Sequence, residues 1–342
     1  MRVLIEAANA TVAVEGSRIA EPTGAYERTI RLPDCELRPG LINAHDHLHR
    51  NHYGRLGAPP YANAYDWARD IQKRHAAEIA RDRAMPRRQA LLRGAWKNLL
   101  SGVTHVVHHD AWETDFEDNF PINVVKLSNA DSLGMTRNFA PPENQPFALH
   151  VAEGADEAAA DEIRTLAASG LLTRNLIAVH AVGVDADGVA KLRERGCAIV
   201  WCPSSNYFLF GRTAPEALLD EGTDILLGTD SLLTGAGTLL DELRLARHHI
   251  SDARLLNAIG SLAADRLGLA APALAPGASA DLALFRRPVL EAELSDVMLV
   301  MVGGELRVLD PDIVSMLDVR GGQMLAWNNV RRWISEETRL YD

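Results

Sequence analysis

The sequence is poor in cysteine: it has three, Cys35, Cys197 and Cys202, which cannot all pair and form no C-x-x-C. A disulfide-built secreted scaffold is thereby excluded, and the three read as buried reduced thiols of a cytoplasmic protein. Long apolar runs are also missing. The longest stretch without a formal charge, Gly196 to Gly211, is broken by Pro203, Ser204, Ser205 and Asn206, which excludes a membrane-spanning helix there. Glu6 arrives too early for a signal-peptide core, so no targeting segment is expected. Positive charge is in deficit, 35 Lys+Arg against 46 Asp+Glu for a formal charge of −11, which argues against nucleic acid or an anionic membrane as the partner. What the chain does have is 47% hydrophobic residues in 342, enough for one large domain or two ordinary ones. It also has 12 histidines, an excess for this length.

Through the middle of the chain, short β-like runs alternate with amphipathic segments. Strands are expected at Leu41–His45, Val103–His108, Ile122–Leu127, Phe147–Val151, Leu176–His180, Ala198–Cys202 and Ile225–Gly228. Several are unbroken apolar runs, the pattern of parallel strands covered on both faces. Helices are expected at Asp156–Ala168 and Asp187–Arg195, stopped by Gly170 and Gly196, and at Asp241–His249 and Leu255–Leu267. The alternation gives a parallel α/β fold, compatible with a barrel or with an open doubly wound sheet. Seven strands of barrel type are visible; a missing or degenerate one is expected between Asp131 and Pro146, where Pro141, Pro142 and Pro146 fall.

The two ends read as short strands instead: Val3–Glu6, Thr11–Val14 and Tyr26–Leu32, then Asp281–Phe285, Val297–Val302 and Glu305–Val308, with a Gly303-Gly304 turn before the last. Each end alone is too small to bury a sheet. Residues 1–38 and 275–342 are therefore expected to form one composite β-domain beside a body of residues 39–274. The tail from Asp310, which holds Trp327 and Trp333, is expected to be a helix or strand packed on the body.

The strongest motif is PGLINAHDHLH, Pro39 to His49. Alternate residues of a strand share a face, so His45 and His47 project together from its carboxyl end, where α/β barrels build active sites. Two such imidazoles suit a divalent metal. Three later strands also end in ligand-type residues: His150 with Glu153 three residues on, His180, and Asp230. Singly each has an ordinary explanation. An isolated HxH arises by chance, Glu153 fits a first helical turn, His180 a satisfied core position and Asp230 a helix cap. Their joint occurrence at four strand ends points to a metal site.

The order His-x-His, His-x-x-Glu, His, Asp is similar to that of the amidohydrolase superfamily, metal-dependent hydrolases on a distorted TIM barrel. The resemblance covers almost the whole chain. Ser101-Gly-Val-Thr104 looks like the superfamily's second strand. Trp201-Cys-Pro-Ser-Ser-Asn206 with Leu209 resembles an element of the aminohydrolase branch, which includes cytosine, guanine and S-adenosylhomocysteine deaminases and triazine hydrolases. Leu262–Gly268 resembles the post-barrel helix, and Pro276-Gly-Ala-Ser-Ala-Asp281-Leu the re-entry into a small β-domain. The resemblance implies a (β/α)8 TIM-like barrel with one degenerate strand and a small β-sandwich built from both termini.

It also implies roles. His45, His47, His150 and Asp230 would bind one divalent ion, Zn(2+) or else Fe(2+). Asp230 would carry a proton from water to the leaving nitrogen, Glu153 would protonate the substrate ring nitrogen or carbonyl, and His180 would polarise the group under attack. Lys126 would bridge two ions in a binuclear centre, although His-x-x-Glu and CPSSN favour a mononuclear one. Candidate substrate contacts are Asn51, Arg55 and Trp67 in the loop after the first strand, with His109 and Asn206; bracing is an equal reading for Asn206. The expected activity is hydrolytic deamination of a small aminated heterocycle. Ring opening of a cyclic amide or imidazolone is the alternative, and a catalytically silent binding barrel the third reading. The stretch from Asp110 to His150 is short for the branch, which leaves the substrate open. A small-molecule substrate, no nucleic acid or membrane partner, and a homo-oligomer (a dimer) are expected.

Overall fold

The computed structural model describes residues 2–136 and 139–335. Residues 137–138 of the proline-rich stretch and 336–342 of the tail lie outside the described residues. The chain begins with β1 (Arg2–Ala7), β2 (Thr11–Glu15), β3 (Arg18–Ala20) and β4 (Arg28–Leu32) in one sheet of order β3-β2-β1-β4. In β2 the apolar Val12-Ala13-Val14 is buried between exposed Thr11 and Glu15. β5 (Glu36–Pro39) leaves that sheet and pairs with a strand from the far end of the chain.

The body follows. β6 (Leu41–Asp46), β7 (Val103–His108) and β8 (Asn123–Val125) form a parallel three-stranded sheet. β9 (Ser128–Ala130), β10 (Phe147–Val151), β11 (Leu176–His180), β12 (Ala198–Trp201) and β13 (Asp224–Leu227) form a parallel five-stranded one, paired in chain order. Every residue of β6, β10, β11 and β12 is buried, as expected of parallel strands covered on both faces. The two sheets meet just past the ends of β6 and β13, where the N–H groups of Thr229 and Asp230 both donate to His45 O at 3.0 and 3.1 Å.

The expected strand Ile122–Leu127 is not one strand. β8 pairs with β7, and β9 pairs with β10. The break falls at Lys126-Leu127, where Asn129 Nδ2 donates to the carbonyls of Leu127, His108 and Asp110 and so replaces ladder hydrogen bonds. The additional strand is therefore β9, and the described residues of 131–146 hold none. Their three prolines remove the backbone donors that a ladder needs.

Helices α1 (Ala64–Arg74), α2 (Ala76–Arg83) and α3 (Arg87–Leu99) fill the connection from β6 to β7. α4 (Glu157–Ala168) and α5 (Ala186–Glu194) follow β10 and β11. They are capped by Asp156, which accepts from Ala159 N, and by Asp185, which accepts from Gly188 N.

The chain closes with β14 (Leu282–Phe285), β15 (Val297–Val302), β16 (Glu305–Leu309), β17 (Gln323–Trp327) and β18 (Val330–Ile334), in a sheet of order β17-β18-β16-β15-β14-β5. Gly304 turns β15 into β16 at φ +80°, and any side chain there would collide with Gly16 O, 1.8 Å from where its Cβ would lie. One apolar cluster joins Val3, Ile5 and Leu37 from the start of the chain to Leu282, Leu299 and Trp333 from its end. The tail is a short helix, Pro311–Leu317, and the β17–β18 hairpin. No helix among the described residues is long and apolar enough to cross a membrane.

Candidate metal centre

The strand ends bring the sequence candidates together. His45 and His47 leave β6 fully buried, and Asp230, three residues beyond β13, places Oδ1 3.9 Å from His45 Nε2 and 3.8 Å from His47 Nε2. His150 closes β10 and His180 closes β11. Glu153 lies between them, with Oε2 3.2 Å from His150 Nδ1 and Oε1 3.6 Å from His180 Nε2. The His45 ring centroid is 5.1 Å from that of His150 and 5.5 Å from that of His180. Ala152, His180 and Asp230 have φ of +51°, +74° and +53°. Left-handed backbone at non-glycine residues costs energy, and here it recurs at three strand ends that feed one site.

The donor set fits a divalent cation. The Nε2 atoms of His45, His150 and His180 are buried without a hydrogen-bond partner among the described residues. Ligand atoms of His45, His47 and His150 lie within 4.8 Å of one another, as do those of His150, Glu153 and His180. Burial, and then the neighbouring His109 and His47 rings, push His45 well below its ordinary pKa. Burial, and then Arg50, do the same to His47. Both imidazoles are thus neutral, the form that ligates. His47 Nδ1 donates to Asp110 Oδ2 at 2.7 Å, which leaves the lone pair on Nε2, the atom that faces Asp230. His180 Nδ1 donates to Asn206 Oδ1 at 2.9 Å and is fixed in the same tautomer.

Asp230 is held in turn. Ser205 Oγ and Thr234 Oγ1 each donate to its Oδ2 at 2.7 Å, and Ser231 N donates to Oδ1 at 2.8 Å. Burial pulls His150 down, but the hydrogen bond and charge of Glu153 outweigh it and lift the ring above its ordinary value. Burial likewise pushes Glu153 up, and His180 and His150 overcome it to keep the carboxyl below its usual range. The His150 proton is one that a bound cation would displace.

The other candidates divide between the site and the scaffold. His109 joins the cluster, its ring centroid 4.3 Å from that of His150, with Nε2 bonded to Ala130 O. Trp67 lines the cavity and donates Nε1–H to Leu56 O. Asn51 does not face the cavity: its amide donates to Asp46 Oδ1 and accepts from Leu232 N, which pins the loop. Asn206 is fully buried and braces His180. Arg55 donates to Gly235 O and stacks over Phe208, away from the cavity lining. Lys126 is exposed at the β8–β9 break, over the Trp112 ring, and cannot bridge ions between these histidines.

Sequence reasoning missed three contributors. Asp110 orients His47; the available signal was its place just after His108-His109 at another strand end. Lys97 is fully buried and paired with Asp46, the residue between His45 and His47, at 2.9 Å. Glu162, on α4, accepts from Ala152 N at 2.7 Å and so holds the strained residue before Glu153. Neither Lys97 nor Glu162 carries a local signal, since each reads as a solvated helix residue.

Residues 143–307 match the amidohydrolase family. The chain is 29% identical over 208 residues to the 5-methylthioadenosine/S-adenosylhomocysteine deaminase of Pyrococcus furiosus, covering 51% of this chain and 49% of that one. It is 31% identical over 204 residues to the enzyme of the same name from Pelotomaculum thermopropionicum, covering 49% and 47%. The chain thus spans about half the length of the curated relatives it matches. Among solved structures it is similar to an atrazine chlorohydrolase from Arthrobacter aurescens TC1 complexed with zinc, with TM-score 0.66, 16% identity, and 89% of this chain and 94% of that one covered. It is also similar to an adenosine deaminase from Xanthomonas campestris with bound zinc, with TM-score 0.60, 20% identity, and 92% and 96% covered. These likenesses give the fold as a TIM-barrel type of mixed α/β content.

Proposed function

We propose that the chain is a metal-dependent hydrolase of C–N bonds that deaminates a small aminated heterocycle. The observation that carries this reading is the set of buried, unpartnered imidazole Nε2 atoms gathered with Asp230 and Glu153. His45, His47, His150 and Asp230 would hold one ion, zinc in our reading. When bound, the ion lowers the pKa of a coordinated water so that hydroxide is available near neutral pH.

The chain's own groups supply the rest. Asp230 takes a proton onto its carboxylate and passes it to the leaving nitrogen, while Ser205 and Thr234 keep that carboxylate from turning. Glu153, between His150 and His180, takes the other proton of the attacking water and relays it to the ring nitrogen next to the carbon under attack. His180, fixed by Asn206, presents Nε2 toward Glu153 and the reacting centre. In the same reading the two parallel sheets form one distorted barrel, residues 39–274, and both termini build one β-domain, residues 1–38 and 275–342. Product analysis tests the reaction: ammonia should leave with the ring intact, and a ring-opened product without ammonia would replace deamination by cyclic amide hydrolysis.

A further inference from the structure

The cavity that contains the histidine cluster is lined by side chains of both charges. Its volume is about 670 Å³, more than a single bare heterocycle fills and typical of sites for larger ligands. Its carboxylates all belong to the histidine end. Glu153 and Asp230 do so directly, and Asp131 offers an oxygen within 4.8 Å of ligand atoms of His109 and His150. The same cavity is lined by three arginines, Arg50, Arg83 and Arg87.

Two of these guanidiniums have carboxylate partners, and the third has none among the described residues. Arg87 is paired with Glu113, its Nε 2.8 Å from Oε1. Arg50 Nη2 makes a long 3.4 Å contact with Asp110 Oδ1, and that carboxylate is already engaged by His47. Arg83 has no carboxylate partner among the described residues and stands beside the Tyr53 hydroxyl. A positively charged wall is unexpected in a chain of net charge −11, and guanidinium is the group that reads carboxylates and phosphates through paired, charge-assisted hydrogen bonds. Trp67, Ile71 and Leu233 supply apolar lining for a flat ring.

We propose that the substrate is an aminated heterocycle bearing an anionic substituent, carboxylate or phosphate, which Arg83 and Arg87 hold with Arg50 while the ring lies at the histidine end. The ring part of this proposal rests on the deaminase reading; the anion subsite stands on the arginines alone.

Pairs of compounds that differ only in charge test it: adenosine 5′-carboxylate against adenosine 5′-carboxamide, and aminopyrimidine and aminotriazine carboxylates against their amides, with adenosine 5′-monophosphate as the phosphate arm. Ammonia release and calorimetric binding are measured on the wild-type chain and on R83Q/R87Q. The anionic member should be favoured about ten- to hundredfold, in KM or Kd rather than kcat, and the double variant should treat both members alike. Both side chains are exposed, so the variant should keep the wild-type unfolding midpoint. Equal affinity within pairs, a preference that survives in R83Q/R87Q, or no binding of any anionic member at millimolar concentration overturns the proposal. Anionic preference in binding without ammonia from any compound sinks the deaminase reading alone. Turnover without charge preference sinks the anion subsite alone. The tighter of the carboxylate and phosphate arms identifies the group.

Discussion

His47 and Asp110 meet at 2.7 Å, Nδ1 to Oδ2, across 63 residues of sequence. The carboxylate fixes the ring's tautomer and rotation and raises the basicity of the free Nε2. Partners of this kind are worth about 10- to 100-fold in metal affinity. Asp110→Ala is therefore expected to weaken zinc binding by that factor, with a smaller change in kcat once the site is saturated. Competition against a chelator of known affinity measures it, and unchanged affinity would remove Asp110 from the site.

Lys97 and Asp46 form a fully buried ion pair, Asp46 standing between His45 and His47 in the chain, and Asp46 also accepts from Asn98 Nδ2 at 2.7 Å and Asn51 Nδ2 at 2.8 Å. Removing one partner strands a charge in the interior, at a cost of about 3–5 kcal/mol. Lys97→Met should lose stability on that scale in urea unfolding. Adding Asp46→Leu to it should recover part of the loss, because no isolated charge then remains. A double variant that loses the sum of the two single losses would contradict the pairing.

Glu242 gives a pH dependence of definite sign. Burial pushes its carboxyl up to about 8, despite hydrogen bonds from Ser204. The unfolded chain releases this proton near pH 4.3, the ordinary glutamate value. Between those limits the folded state binds more protons, so stability falls as pH rises, by about 1.4 kcal/mol per unit from this group. Glu242→Gln retains a neutral, hydrogen-bonding side chain and should lack this component. Guanidinium unfolding at pH 5, 6.5 and 8 should show the variant gaining on the wild type as pH rises; parallel profiles would show that Glu242 is ionised in the folded state.

The legible part of the site was local. His45 and His47 share a face because strands have period two, and His150, His180 and Asp230 each close an apolar run that the sequence displays. The parallel α/β body was legible for the same reason, as were α4 and α5 from the glycines that stop them, whereas the Asp185 cap of α5 was not read. What was hidden depends on long-range pairing. Nothing near Lys97 announces that it is buried against Asp46, and nothing near Asp110 announces His47. Lys126 misled because Ile122–Leu127 has the composition of one strand. The hydrogen bonds of Asn129 divide it, so the lysine emerges over Trp112 rather than among the histidines. Asn51 misled in the opposite direction, since a polar residue beside a site can serve the scaffold as readily as the ligand; for Asn206 bracing was already an equal reading.

The most direct test of the metal-hydrolase reading is a zinc titration of the metal-free chain, with bound metal and ammonia release from an aminated heterocycle recorded at each step. Activity should rise in proportion to zinc, stop at one ion per chain, and be absent from Asp230→Asn and from Glu153→Gln, the latter still binding its ion. Turnover without metal, a requirement for a second equivalent, or wild-type rates in either variant would contradict it.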